Sequence, residues 1–241
     1  MLGFGTWQIT GEQAYQSVRT ALEVGYRHID TATIYQNERE VGRAVADSGV
    51  PREDIFITTK LPPRRAGRAR ETLDASLKAL GTDQVDLWLI HWPPGRSGAP
   101  ELWQEFIKVR DEGLARAVGV SNYSVEQLDR LQQATGEMPA VNQIPWSTRE
   151  HDPRVLAESR QRGVVLEGYS VLKNSNLRSK VLVELAGKYA VTPVQVLLRW
   201  HLEHDIVMIP KSVDPQRIAS NFDIFGFSLT PDEVQRIDQS R

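Results

Sequence analysis

Short apolar or β-branched runs alternate with helix-like segments along the whole chain, and there are eight such runs. Several are apolar on both alternating faces, as in Val85-Asp86-Leu87-Trp88-Leu89-Ile90. Alternation of this kind predicts a parallel α/β sheet, and strands apolar on both faces predict a sheet covered by helices. Across 241 residues, eight units of about 30 residues fit a closed (β/α)8 TIM barrel better than an open sheet.

The first strand is expected at 2–7, followed by a helix over 12–24 with Ala14, Val18, Ala21 and Leu22 on one face. The second strand, 26–30, ends at Asp30, and the helix over 37–48 carries Val41, Ala44 and Val45. A third strand at 55–60 ends at Lys60. Its helix, 69–80, presents Leu73, Leu77 and Leu80 and stops at Gly81, a residue type suited to helix ends. The fourth strand, 85–91, precedes a helix at 101–111 that stops at Gly113. The fifth, 117–122, precedes a helix at 125–133 that starts after Ser124, a good N-cap. The sixth, 140–143, precedes a helix at 153–162 stopped by Gly163. After the seventh strand, 164–169, a longer connection holds two helices, 179–189 and 193–204, the second with Pro193 in its first turn. The eighth strand, 206–211, is followed by helices at 215–222 and 231–238, the last capped by Thr230. No motif repeats and no low-complexity linker divides the chain, so a single domain over 1–241 is expected.

Composition narrows the function. The 29 Lys and Arg against 31 Asp and Glu leave a net charge of -2, which gives no general drive toward nucleic acid or anionic lipid. Zero Cys removes disulfides, zinc–thiolate sites and thiol nucleophiles. Met1-Leu2-Gly3-Phe4 has no basic region before an apolar run, so no secretory signal is expected. No run of 18 apolar residues predicts a membrane span. A cytoplasmic monomer without nucleic-acid or membrane partners is the expectation.

Each of the eight runs ends in a polar or amphipathic residue: Trp7, Asp30, Lys60, His91, Asn122, Gln143, Tyr169 and Lys211. Barrel active sites are built from strand C-termini and the loops that follow. Asp30, Lys60 and His91 end adjacent strands about 4.8 Å apart, and Tyr35 lies in the loop after Asp30, so the four side chains can converge. A free phenol, with a pKa near 10, is a poor acid at neutral pH. A neighbouring Lys ammonium is expected to lower that value, with Asp30 holding Lys60 charged and His91 orienting a carbonyl. The set reads as a general acid aimed at a developing alkoxide. Taken singly, each residue is more often structural: a strand-end ion pair, a packing Tyr, a half-buried His. Four at matched positions favour catalysis.

Gly25-Tyr26-Arg27-His28-Ile29-Asp30-Thr31-Ala32, followed by Tyr35 and Asn37-Glu38, resembles the aldo-keto reductase signature. So do Leu89-Ile90-His91-Trp92-Pro93, Gly119-Val120-Ser121-Asn122, and Ile209-Pro210-Lys211-Ser212 with Arg217 and Asn221-Phe222. The resemblance runs from Leu2 to about Asp238, with the motifs in family order, and is nearest the bacterial aldehyde and diketogluconate reductase-like subgroup. It implies NADPH-dependent reduction of an aldehyde or ketone to an alcohol, with Tyr35 as proton donor, Lys60 and Asp30 as its tuning pair and His91 orienting substrate. It implies Ser121, Asn122 and Gln143 at the nicotinamide carboxamide, Tyr169 on the nicotinamide ring, and Ser170 and Leu172 along the pyrophosphate. It also implies Thr6, Trp7, Val213 and Asn221 as cofactor contacts.

The adenosine end can be read from the residues as well. Lys211, Ser212 and Arg217 bring two cations and a hydroxyl to a helix start after the eighth strand, which suits a 2′-phosphate. The competing reading is a solvated charged helix start. No Gly-x-Gly-x-x-Gly follows a strand, so a Rossmann site is not indicated.

Trp7, Trp92, Tyr123 and Trp146 are expected to rim the substrate pocket, and Trp88 and Trp200 to be core. Arg64, Arg65, Arg68 and Arg70 read as a solvated loop and helix start, with a cationic lip as the sharper alternative. Two departures from the family pattern stand out. Tyr169-Ser170-Val171-Leu172-Lys173 lacks the usual Pro, and Ile144-Pro145-Trp146 replaces the usual residues after Gln143. Family members usually open with a β-hairpin, which is expected to be absent, and a short tail is expected after Asp238. Together these predict a shallow, open site of broad specificity. His28 and Asp30 share a face at metal-ligand spacing, so a metal-dependent barrel hydrolase is one alternative, although no metal set is expected. A non-catalytic, cofactor-binding regulatory or structural protein is the other.

Overall fold

The computed structural model describes residues 1–95 and 99–240; residues 96–98 and Arg241, which fall inside the expected single domain, lie outside them. Eight parallel strands pair in chain order: β1 (Phe4–Gly5), β2 (His28–Asp30), β3 (Phe56–Leu61), β4 (Val85–Ile90), β5 (Ala115–Ser121), β6 (Val141–Pro145), β7 (Val165–Tyr169) and β8 (Val207–Met208). The first and last meet through a parallel bridge, Leu2↔Met208, and through Gly3 N and Gly5 N donating to Met208 O and Pro210 O at 2.8 and 3.1 Å. Those contacts close the sheet on itself. Around it lie α1 (Gly11–Val24), α2 (Glu38–Asp47), α3 (Ala69–Leu80), α4 (Pro100–Asp111), α5 (Val125–Thr135), α6 (Pro153–Gln161), α7 (Lys180–Tyr189), α8 (Pro193–Glu203), α9 (Pro215–Phe222) and α10 (Pro231–Asp238). This is the (β/α)8 barrel that the alternation predicts.

Local chemistry accounts for the element ends. Ser124 with Gln127, Thr192 with Gln195 and Thr230 with Glu233 form capping boxes that satisfy helix-start N–H groups. Gly81 takes φ 67° at the end of α3, a backbone state that a side chain would disfavour. The two strands at the seam fall furthest short of their apolar runs. β8 stops at Met208 because Pro210 has no N–H for a ladder, and β1 is limited by the same seam. At that seam a Cβ on Gly5 would stand 2.7 Å from Ile209 O, so only glycine lets the strands approach. β6 runs past Gln143 to Pro145, pairing Pro145 with Tyr169. Gln143 is therefore mid-strand rather than the strand end the sequence suggests.

All six residues of β4 are buried, as its apolar run requires. The one charge among them, Asp86, is offset by Arg52 at 2.8 Å, Arg116 at 3.1 Å and Ile57 N at 2.9 Å. Trp88 stacks on Phe106 at 3.8 Å between centroids, and Trp200 is fully buried against α10. Both are core, as expected; truncating either would cost about 3–5 kcal/mol.

Candidate active site

The second and third strands place the charged pair. Asp30 pairs in register with Thr58, so Lys60 lies two residues further along β3 with its side chain on the same face. Lys60 Nζ donates to Asp30 Oδ1 and Oδ2 at 2.6 and 2.7 Å and to Thr31 O at 2.8 Å, and both side chains are buried. All three ammonium protons thus have oxygen partners. Burial favours neutral Lys60, but Asp30 and Tyr35 outweigh it and hold its pKa above the ordinary value. Burial also pushes the Asp30 carboxyl up while Lys60 pulls it down, and the bidentate geometry is that of an ion pair.

Tyr35 ends a 3₁₀ turn, Thr33–Tyr35, after β2. Thr33 Oγ1 donates to Lys60 O at 2.9 Å and ties the turn to β3. Asn37 pins its far side, donating to Thr6 O at 2.9 Å and Ile9 O at 2.8 Å and accepting from Thr31 Oγ1 at 2.6 Å. The Tyr35 ring stands 5.2 Å from Lys60 Nζ and 5.7 Å from the His91 ring, edge to face. The four candidate catalytic residues are therefore together. The electrostatics differ from expectation in one respect: burial raises the Tyr35 phenol, and Lys60 only partly opposes it. Burial first, then Lys60, lowers His91 to about 3, so the imidazole is neutral at physiological pH.

These residues open into a cleft of about 610 Å³. Trp7 and Trp92 form its exposed rim, with Ile34 beside them. Ser121, Asn122, Gln143, Tyr169, Ser170, Leu172 and Lys211 line it, as the resemblance implies. They are interlinked. Asn122, at φ 64°, accepts from Tyr169 Oη at 2.7 Å and donates to His91 O at 3.1 Å, while Ser121 Oγ donates to Gln143 O at 2.7 Å. Gln143 Nε2 donates to Asp30 Oδ2 at 2.8 Å and to Glu167 Oε1 at 2.6 Å. Both N–H donors are thus committed, leaving the carbonyl oxygen to offer the cleft. At the β8 end, Lys211, Val213 and Arg217 are exposed, and neither cation has an ion-pair partner among the described residues. The Asp214 carboxylate caps α9 by accepting from Arg217 N at 3.0 Å. Ser212 Oγ accepts from Asp214 N at 3.1 Å.

Three positions, Thr6, Tyr123 and Trp146, do not face the cleft as expected. Thr6 is wholly buried and does not line the cleft, because its hydroxyl donates to Asp30 O at 2.9 Å. Asn221, an expected contact of the adenosine end, is buried on α9, the helix that also carries Arg217, and like Ser212, Val213 and Arg217 it lies outside the cleft lining. Tyr123 is packed in the core, with its backbone bonded to Asn142. Trp146 turns inward against β7, where a Cβ on Gly168 would sit 2.9 Å from Trp146 Cβ, so it forms no part of the rim. Glu167 was missed: between Leu166 and Gly168 it reads as one polar position on a buried strand, and only the fold brings it to Gln143. Asp30 is committed to Lys60, and His28 Nε2 pairs with Thr58 Oγ1 at 3.0 Å, so the two do not form a joint ligand set. Arg64, Arg65, Arg68 and Arg70 are all exposed; Arg70 pairs with Asp74 and Glu112, and Arg68 lies 4.0 Å from Glu71.

The donors suit a nicotinamide dinucleotide: a half-buried Tyr169 face for a ring, an amide acceptor in Gln143, and two cations beyond β8. Comparison with known proteins agrees. The Aldo/keto reductase family model matches residues 1–241. An aldo-keto reductase of Mycolicibacterium smegmatis is 43% identical over 240 residues, 98% of this chain and 87% of that protein. The methylglyoxal reductase DkgA of Escherichia coli is 41% identical over 247 residues, 100% of this chain and 90% of that protein. Among solved structures, an aldo/keto reductase from Brucella melitensis superposes with TM-score 0.95 at 41% identity, covering 100% of this chain and 94% of the other. A Bombyx mori aldo-keto reductase solved in complex with NADP gives TM-score 0.92 at 35% identity, covering 99% and 88%. With the barrel, the converged Asp30–Tyr35–Lys60–His91 set and a family match over its full length, the chain belongs to the aldo/keto reductase family.

Proposed function

We propose that this protein reduces aldehydes or ketones to alcohols with NADPH, with Tyr35 donating the proton. The observation that carries the reading is the Tyr35 phenol set between the Lys60–Asp30 ion pair and a neutral His91 at the floor of an aromatic-rimmed cleft. Bound NADPH supplies the hydride. Tyr35 delivers its proton to the carbonyl oxygen, and Lys60 stabilises the phenolate left behind. Among the described residues the buried Nδ1 of His91 has no hydrogen-bond partner. A bare Nδ1 leaves the ring proton on Nε2, where it is donated to the carbonyl oxygen and orients it. Gln143, Ser121 and Asn122 position the nicotinamide amide, and Tyr169 packs on its ring. Ser170 and Leu172 follow the pyrophosphate, Lys211, Ser212 and Arg217 take the adenosine phosphate, and Val213 and Asn221 complete the adenosine end of the cofactor site.

Trp7 and Trp92, each 48% exposed, give the carbonyl an apolar wall. Small reactive aldehydes, including 2-oxoaldehydes such as the substrate named for the E. coli relative, fit that surface. The reading includes one domain over 1–241 working as a cytoplasmic monomer without nucleic-acid or membrane partners, in keeping with a net charge of -2; light scattering during gel filtration tests the monomer. The chemistry is tested by following NADPH absorbance across an aldehyde panel. Tyr35→Phe should lose about 10²- to 10⁴-fold in kcat, and undiminished turnover in that variant would overturn the mechanism.

A further inference from the structure

The chain has no Cys and five His, so a cation of the zinc class finds no thiolate and is held best where imidazoles converge with a carboxylate. Three of the five are otherwise placed: His28 and His201 are buried on Thr58 and the Leu197 carbonyl, and His91 faces the cleft. The remaining two, His151 and His204, meet Asp238. His151 lies in the loop entering α6, His204 caps the C-terminus of α8, and Asp238 is the last residue of α10. One ligand atom from each lies within 4.8 Å of the other two. His204 Nε2 is 2.9 Å from Asp238 Oδ1, and His151 Nδ1 is 3.8 Å from the same oxygen.

We propose that His151, His204 and Asp238 form a binding site for a divalent transition-metal ion of the zinc class, distinct from the reductase cleft. Metal–ligand bonds of about 2.0–2.1 Å in a tetrahedral set place ligand atoms about 3.3 Å apart. The two separations to Asp238, 2.9 and 3.8 Å, fall on either side of that value, and with all three ligand atoms within 4.8 Å of one another the two imidazoles must close by at most about 1.5 Å. Two imidazoles and a carboxylate are a ligand set zinc uses when it leaves its fourth position to water. Here that position opens on a groove of about 470 Å³ lined by all three residues. The cation in the groove wall, Arg160, donates to His204 O at 2.8 Å and to Asp205 Oδ2 at 3.2 Å, so its charge is engaged beside the site.

Outer contacts orient the ligands. Trp200 Nε1 donates to Asp238 Oδ1 at 2.8 Å. The His151 ring meets the edges or faces of Trp146, Trp200 and His204 at 5.6, 5.4 and 4.8 Å. In the metal-free protein one ring proton is shared between His204 and Asp238. Binding requires His204 Nε2 to present its lone pair, with the ring proton carried on Nδ1. The bound ion would tie α10 to α8 and to the β6–α6 connection, so its effect is stabilising rather than catalytic.

Chelator-treated full-length protein titrated calorimetrically with ZnCl₂ should take up one ion per chain, with a thermal midpoint that rises with zinc concentration. Cobalt(II) should give the intense visible bands of a low-symmetry site. His204→Gln keeps a hydrogen-bonding side chain beside Asp238, and Asp238→Asn keeps the acceptor for Trp200, so both should fold and retain NADPH-dependent turnover. Each should weaken zinc binding by roughly 10-fold or more and abolish the thermal shift. Absence of zinc binding by the wild type at micromolar concentration would overturn the proposal. So would binding of equal strength in His204→Gln and Asp238→Asn.

Discussion

Replacing Lys60 with Met separates what the buried ion pair does for folding from what it does for catalysis. Lys60 is fully buried and supplies three hydrogen bonds, two of them to Asp30. In Lys60→Met the Asp30 carboxylate keeps only the Gln143 amide as a side-chain partner, at 2.8 Å, and Glu167 stands beyond that amide. Removing one member of a buried pair costs about 3–5 kcal/mol because the other charge is left uncompensated. For a chain of this size that lowers the thermal midpoint by about 6–20 °C. The sign of its pH dependence follows. Without Lys60, burial and Glu167 raise the Asp30 pKa in the folded state further above its unfolded value. The variant is therefore least destabilised in acid, where Asp30 is protonated in both states, and loses stability as pH rises through the folded-state pKa. Adding Asp30→Asn removes the orphaned charge, so the double variant should recover most of the lost stability. It should not recover turnover, because no cation remains for the Tyr35 phenolate; both variants should fall about 10²- to 10⁴-fold in kcat. Calorimetric melting and NADPH-coupled kinetics on the three proteins decide it. A single variant that melts within about 2 °C of wild type would refute the burial argument, and a double variant that regains activity would refute the role of Lys60.

Arg217→Ala should weaken NADPH binding by about 10- to 100-fold while changing NADH binding little, since a charge-assisted contact to the extra phosphate is worth about 1.5–3 kcal/mol; equal losses for both cofactors in fluorescence titrations would remove Arg217 from the phosphate site. Glu167→Leu should raise the NADPH dissociation constant by about 5- to 30-fold through loss of one Gln143 anchor, and Glu167→Gln should restore part of it; a Leu variant that binds normally would show that Gln143 needs no second carboxylate. With His91 lowered to about 3, kcat/KM should show no inflection near pH 6.5 that His91→Asn removes. His28 and His201, each lowered to about 4 by burial, have folded pKa values below their unfolded ones. Their contribution is therefore full above pH 6.5 and is lost on acidification toward 4, by up to about 3 kcal/mol each, which acid titration of the melting temperature in His28→Asn would test.

The fold was legible because its signal was repetitive. Two-faced apolar strands such as β4 and helix stops such as Gly81 recur in several units, and local chemistry decides both. The boundaries that slipped are those set by distant neighbours. The lengths of β1 and β8 depend on a seam between residues some 200 positions apart in sequence, and the extension of β6 to Pro145 depends on pairing with Tyr169. The catalytic four were legible for a similar reason: each lies at or just beyond the end of a strand, so strand order alone brings them together. Tyr123 and Trp146 show the limit. An aromatic after a strand can face the cleft or the core, and the choice for Trp146 was made by the space over Gly168. Glu167 was illegible because its partner is a side chain on the neighbouring strand.

The raised Tyr35 pKa resolves a tension between what a general acid needs and what burial provides. Burial acts on the resting phenol and keeps its proton in place. Lys60 attracts negative charge, and a neutral phenol offers it almost none. Its attraction therefore grows as the proton leaves and is greatest for the phenolate. A contact that strengthens along the reaction lowers the barrier, whereas one already complete in the resting state would only deepen the ground state. Asp30 fixes where that cation stands, and Glu167 acts at one remove through Gln143. Two buried carboxylates and one ammonium leave the floor of the cleft net negative if all are ionised, which disfavours early loss of the Tyr35 proton. The order of events follows from this placement: the proton is held until negative charge develops on the substrate oxygen, and Lys60 then stabilises the phenolate that the transfer creates.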